Sequence, residues 1–535
     1  MRGASPLARE AALTTGFAGL LAAVLAWAGP PGSDLAAHVY QRALFLHHGF
    51  TLWNNFWYAG RYSFISYSVL YYPLAALLGI RLLAVATVAA ATLAFVVVLW
   101  REWGPASRWS SRTFAAVWAG IILSAAFPFA LGVALALLAL WALQARRRWR
   151  FACLAALTTL ASPVAFLLLL LIVVGLAIGQ RSDWGTKARV AVALLAIGSA
   201  EALLWRAFPG GGRFPFSLPE LTAALTFCSL GTGLTWRVDR ARFLRWVFVV
   251  YGAACVATYL IPSPIGENIA RLRFAAIPLA VLVLSLRRWR PRLVAIVVLG
   301  LATAWNVSPL AASFVQGNTD PAASTAYWRP AIAFLHRHLS PSYRVEVVDT
   351  AGHWAALYLP RAGIPLARGW FRQDDFPQNQ LFYSRPDPDA YLAWLHRLSV
   401  RYVVLTTAPP DYSARAESKL VSDPHSPLRV AFRGSNITVY AVPDPVSIVR
   451  GTGPARVLSL TQSRIVLRID RPGAYSIEVR YSPYWQPSIG CLSRSRGGLL
   501  RLTSGRGGRV VLAFRVDAGR ALRALTGSHA RACAG

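Results

Sequence analysis

Asp34 and His38 stand four residues apart in the stretch GPPGSDLAAHVYQRALFLHH. On a helix that spacing puts both on one face, with Arg42 one turn further on. A carboxylate beside an imidazole can take a proton from a hydroxyl, with the imidazole orienting the acid or sharing the proton. Two plainer readings stand beside this one. Ser33 and Asp34 precede an apolar-periodic run and are good helix N-caps. His38 is equally an interfacial histidine packed on aromatics, and His47 and His48 read as structural.

A second group lies in SPIGENIARLRF, where Arg271 and Arg273 precede an apolar run. A forked guanidinium matches a phosphate with two parallel hydrogen bonds. Glu267 is one turn before Arg271, and a pair between those two is the competing reading. A third group is Trp354, Trp370, Arg372 and Asp375, within HWAALYLPRAGIPLARGWFRQDDFPQN. Aromatic faces beside planar polar groups suit a glycan; tryptophans in a core with acids in loops would give the same string. No Ser-His-Asp arrangement, glycine-rich phosphate loop or cofactor fingerprint is present, so no cofactor is expected. The acids that follow Asp34 are Glu102 and Asp183. Without a carboxylate pair a hard divalent cation is poorly served, and no metal is expected.

These residues are carried by a chain of 535 residues that is 56% hydrophobic and 14% charged. Apolar runs recur from residue 11 to residue 310, as in a polytopic helical membrane protein. Spans are expected near 11–28, 80–100, 113–126, 129–144, 151–162, 164–179, 188–206, 221–236, 243–262, 274–286 and 293–310, about eleven in all. The first is read as uncleaved. The net charge of +33 is not a nucleic-acid signal. Of the 55 basic residues 53 are arginine, and no basic-aromatic nucleic-acid module is visible. The segments assigned to the inside hold 20 of them and the outer segments before residue 311 hold seven, which agrees with the positive-inside rule. The register puts the N-terminus in the cytoplasm, the first loop 29–79 outside, and the C-terminal region outside.

The first loop is too polar to span. DLAAHVYQRALFLHH and FISYSVLYYPLAALLG read as amphipathic helices at the outer interface, a depth that suits Trp and Tyr. A membrane domain is therefore expected over 1–310. Residues 311–445 alternate helix-like and strand-like pieces, as an α/β domain. Residues 446–535 hold short alternating strands, as a β-sandwich. Cys153, Cys228 and Cys255 sit in apolar runs. Cys491 and Cys533 are the two outer cysteines of this topology and are expected to pair as a disulfide.

The plan resembles the GT-C class of membrane glycosyltransferases: one span, a large outer loop opening on an acid, paired spans, then an outer C-terminal domain. Protein mannosyltransferases, arabinosyltransferases and aminoarabinose transferases share it. PPGSDLAAHVYQRALFLHHGFTLWNNFWYAGRYSFISYSVLYYPLAALLG looks closer still to actinobacterial membrane proteins described as pyruvoyl-tetrahydropterin-synthase-related or YfhO-like. GHWAALYLPRAGIPLARGWFRQDDFPQNQLFY and WLHRLSVRYVVLTT look like their outer domain. The resemblance implies an inverting transferase in the cell membrane that moves a sugar from a polyprenyl-phosphate donor to an envelope glycan or glycolipid. Asp34 would be its base, and a late outer loop, here Arg271 and Arg273, its phosphate clamp. A transporter or flippase of a lipid-linked saccharide, or a non-catalytic envelope-assembly protein, remains the alternative. Against transport, no internal repeat is found, and Glu201 is the sole acid well inside a span.

Overall fold

The computed structural model describes residues 5–63, 68–179, 184–384, 386–526. Two units are distinguished. The first comprises 1–35, 67–202 and 213–318; the second comprises 36–66, 203–212 and 319–535.

The first unit is a helical bundle. Helices occupy the stretches where spans are expected, and among the described residues seven are long and apolar enough to cross a membrane. The chain is a multi-pass membrane protein. Shorter rods such as Arg148–Ala161 and Pro163–Gly179 are separated at Ser162, as the Ser-Pro step dictates. Small residues let the helices approach closely. A Cβ on Gly175 would come within 2.7 Å of the Val247 backbone nitrogen, and one on Gly179 within 2.6 Å of the Phe243 Cα. Those glycines seat the helix Pro163–Gly179 on Arg242–Leu260. A buried acid with an exposed arginine ties the first helix to the helix Arg108–Trp118. Glu10, 4% exposed, accepts from Nε and Nη2 of Arg112 at 2.8 and 3.0 Å.

The second unit begins with a four-stranded sheet. Its strands are β1 (Arg344–Val347), β2 (Val400–Thr406), β3 (Arg429–Arg433) and β4 (Ile437–Ala441), in the order β1-β2-β4-β3. The β1–β2 pair is parallel and the others antiparallel. The parallel pair needs a long crossover, which runs through helices Ala355–Arg361 and Pro388–Arg397. The last part is all antiparallel. Its strands are β5 (Val449–Gly451), β6 (Ala455–Leu460), β7 (Arg464–Ile469), β8 (Gly473–Arg480), β9 (Trp485–Pro487), β10 (Cys491–Arg494), β11 (Leu499–Ser504) and β12 (Gly508–Phe514). They form two sheets, β10-β11-β8-β5 and β6-β7-β12-β9. Alternating apolar residues such as Ile465, Leu467, Ile477, Val479, Leu500 and Leu512 fill one core.

The aromatic string from the first loop is part of this second unit's interior. Trp53 is 3% exposed and lies in the core of the antiparallel sheets, stacked on Phe514 at 5.0 Å. Asn55 donates from its backbone to Gln462 and from its side chain to the Thr461 carbonyl. Two residues on, the chain reaches the other sheet: Trp57 Nε1 donates to the Ala356 carbonyl at 2.8 Å, and Ala59 pairs with Leu366. Expected at a membrane interface, these rings instead bind the two parts of the unit to one another. The pairing proposed for Cys491 and Cys533 lies outside the described residues, because Cys533 is not among them.

Candidate functional site

In the first unit the chain around Asp34 is held by backbone. Ser33 N–H donates to Leu123 O at 3.2 Å and Asp34 N–H to Ser124 O at 3.1 Å. Gly32 is required there, since a Cβ would stand 2.6 Å from Ile122 O. Ser124 leads through Ala125, at φ +53°, into the helix that starts at Phe127. The Asp34 carboxylate is half-buried. His38 lies in the second unit, fully buried on the helix Leu35–His48. That helix also buries Tyr40, whose hydroxyl accepts from Asn54 at 2.8 Å. Leu46 and Phe50 are 52% and 58% exposed.

The segment Gly266–Ala275 separates its two arginines. Gly266 is at φ +42°, and a Cβ there would strike Phe214 O. Glu267 accepts from the Ser217 backbone and hydroxyl at 3.2 and 3.0 Å, and is not paired with Arg271. Arg273 donates to Glu220 at 3.2 Å, and Trp305 Nε1 donates to the same oxygen at 2.8 Å. Arg273 is thus occupied in joining helices. Arg271 makes no ion pair among the described residues; its guanidinium lies over Phe129, 5.3 Å from the ring centre. It lines an apolar cavity of about 270 Å³ bounded by Phe95, Trp103, Phe129, Leu168 and Phe248. Glu102 and Arg271 are the two charged residues of the lining. The Asp34 N–H is bonded to Ser124, and Phe129 lies in the first turn of the helix that follows, Phe127–Gln144.

In the third group the charged side chains are paired within the unit. Arg372 grips Asp411 with both nitrogens at 3.1 Å, and Asp411 also accepts from the Ser413 N–H and hydroxyl. Burial alone would raise the Asp411 pKa, but Arg372 and then His353 outweigh it and hold it at about 2. Asp375 is buried, accepting from Asn379 at 3.0 Å and Tyr383 at 2.8 Å. Trp354 is 6% exposed and belongs to the core. Trp370 is half-buried, edge-on to His353 with ring centres 6.0 Å apart. These four residues form a packed network instead of an exposed platform.

Sequence reasoning passed over His353. Its Nδ1 lies 2.5 Å from Asp349 and its Nε2 3.9 Å from Asp411. Burial opposes its charge, yet Asp349 and Asp411 prevail and its pKa is raised. An acid four residues before a histidine was the available signal, the same signal that drew attention to Asp34. Among the described residues, no group of three metal-ligating side chains is placed to hold an ion.

No family model matches the chain, and no curated protein matches it. Among solved structures, the arabinofuranosyltransferase AftD from Mycobacteria is similar at TM-score 0.45 and 15% identity, over 87% of this chain and 41% of that one. A single-residue mutant of AftD gives 0.44 and 14%, over 95% of this chain and 60% of that one. The oligosaccharyltransferase AglB from Archaeoglobus fulgidus, solved with an inhibitory peptide and a dolichol-phosphate, gives 0.34 and 12%, over 74% and 69%. The chain spans about two fifths to three fifths of the length of those AftD chains. All of these likenesses are distant.

Proposed function

We propose that the chain is a GT-C-type membrane glycosyltransferase that moves a sugar from a polyprenyl-phosphate donor to an envelope glycan or glycolipid. One observation carries the reading: Arg271, free of any ion pair among the described residues, lines an apolar cavity inside the helical bundle. An isoprenoid tail suits that lining, and its phosphate suits the guanidinium. Asp34 takes the proton of an acceptor hydroxyl. The hydroxyl oxygen bonds to the anomeric carbon on the face opposite the phosphate. The carbon–oxygen bond to phosphate breaks, its electron pair leaves with the lipid phosphate, and Arg271 balances the added charge. The anomeric configuration inverts.

The test compares two neighbours. Purified chain in lipid nanodiscs is given a pool of extracted polyprenyl-phosphate sugars, and donor affinity and transfer are followed. Arg271→Ala should weaken donor binding by roughly ten- to a hundredfold, as for a lost charge-assisted bond. Arg273→Ala should leave donor affinity near its starting value and lower thermal stability. Equal donor binding with and without Arg271 would sink the proposal.

A further inference from the structure

A second cavity, of about 750 Å³, opens within the second unit. It lies in the range of roughly 300–1,000 Å³ usual for ligand pockets. Among the described residues five arginines line it, Arg61, Arg206, Arg480, Arg494 and Arg523, and no acid does. Arg206, Arg494 and Arg523 are exposed at its margin, whereas Arg61 is 8% exposed. Nε and Nη2 of Arg61 are buried and have no hydrogen-bond partner among the described residues. The nearest counter-charge to Arg61 is Glu478, whose Oε2 stands 3.7 Å from Nη2, an ion-pair distance beyond hydrogen-bond reach, while its Oε1 pairs with Arg450 at 2.7 Å. Arg480 donates to the Arg61 carbonyl at 3.4 Å, so a second guanidinium crowds the first. Burial lowers the pKa of both, and each is lowered further by neighbouring arginines. The Tyr484 hydroxyl, in the same lining, is likewise buried and unpartnered among the described residues.

The backbone leading to Arg61 is strained. Tyr58, Ala59 and Gly60 all have positive φ, at 51, 53 and 64°. Only the glycine tolerates this cheaply, and such strain persists where surrounding structure enforces it. Hydrogen bonds from Tyr58 to Phe371 and from Ala59 to Leu366 provide the enforcement. The result sets Arg61 and Tyr62 side by side in the cavity wall.

A cluster of like charges with buried, unmet donors is completed by an anion. The half-exposed Trp205 and Tyr481 add ring faces. Aromatic faces take the C–H side of a pyranose, and guanidinium forks take its carboxylate or phosphate. We infer that this cavity binds an anionic sugar, held by Arg61 and Arg480 within and by Arg206 and Arg494 at the margin, with its ring against Trp205 or Tyr481. The inference stands independently of sugar transfer by the first unit.

Calorimetry on the full chain in phosphatidylcholine nanodiscs tests it with four probes: a galacturonic acid hexamer, mannose 6-phosphate, neutral maltohexaose and inorganic phosphate. The hexamer or mannose 6-phosphate should bind, whichever is tighter naming the anion, and added salt should weaken it. Maltohexaose should not bind. Arg494→Ser and Arg206→Ser, at exposed positions that do not threaten folding, should each weaken binding by up to roughly tenfold. Arg61→Lys keeps a charge but loses the fork and should weaken it as well. The assignment is overturned if neither anionic sugar binds at millimolar concentration, if maltohexaose binds as well as the hexamer, or if inorganic phosphate binds as tightly as mannose 6-phosphate. It is also overturned if none of the three variants changes the affinity, or if phosphatidylglycerol in the disc displaces the sugar fully.

Discussion

The Arg271 guanidinium lies 5.3 Å from the centre of the Phe129 ring. The ring face attracts the cation and leaves its N–H donors in the guanidinium plane unspent. If a donor phosphate rests there, Phe129 aims the fork. Phe129→Leu keeps the apolar wall at a cost under about 1.5 kcal/mol. It should weaken donor binding by about two- to tenfold, the worth of a partly desolvated cation–π contact. A binding isotherm superimposable on that of the unaltered chain would remove the ring from the site.

Asp34→Asn tests the base. The backbone bond from residue 34 to Ser124 survives this change, since it uses the main-chain N–H. Transfer should therefore fall by roughly 10²–10⁴-fold at normal expression and normal donor affinity. A large loss of folded protein, with the surviving fraction fully active, would mark Asp34 as a cap instead.

The raised His353 pKa makes a statement about stability and pH. A group bound more tightly to its proton in the folded state contributes stability that is fully present below its unfolded pKa, about 6.5. That contribution is lost as pH rises through the higher folded value. The second unit should therefore melt at a lower temperature in mildly alkaline than in mildly acidic buffer. His353→Asn, which tolerates the φ of +53° at this position, should flatten that dependence. Asp411 works in the opposite sense: held at about 2, its contribution is present above about 3.9 and lost in strong acid as pH falls through the folded value. Thermal melts of His353→Asn and Asp411→Asn across the pH range separate the two.

Trp53→Ala should destabilise the second unit by about 3–5 kcal/mol, the usual loss for a large buried aromatic. Urea unfolding followed by protease sensitivity of the strands between Val449 and Phe514 would register it. A change below about 1 kcal/mol would mean that the ring only covers the sheets.

Much of the architecture could be read from local pattern. The membrane helices follow from apolar runs broken at Ser162 and Gly104, and the terminal strands from strict alternation with glycine turns. What could not be read depends on partners far away in the chain. Arg271 and Arg273 look alike in ENIARLRF, and only Glu220, some fifty residues earlier, occupies one and not the other. LWNNFWYAG suits a membrane interface as well as a protein core, because Trp and Tyr serve both. Its burial requires Phe514 and Ala356, which no local window contains. The five arginines around the second cavity come from four separate stretches of sequence, so their charge reads as scattered until the chain is folded.

The stacking of Trp53 on Phe514 also sets a timetable. About 460 residues separate the two rings, and every helix of the first unit after Pro6–Ala28 is made in between. At about 5–20 residues per second, a ribosome takes between about 20 and 90 seconds to deliver the partner. For that interval the string from Leu52 to Tyr62 has no sheet to enter, and its rings are open to chaperones and to misplaced contacts. The C-terminal strands are in the complementary position: expressed alone, residues 319–535 would carry a slot where Trp53 belongs. A fragment that joins 36–66 to 319–535 by a flexible linker should stay soluble at concentrations where the shorter piece aggregates.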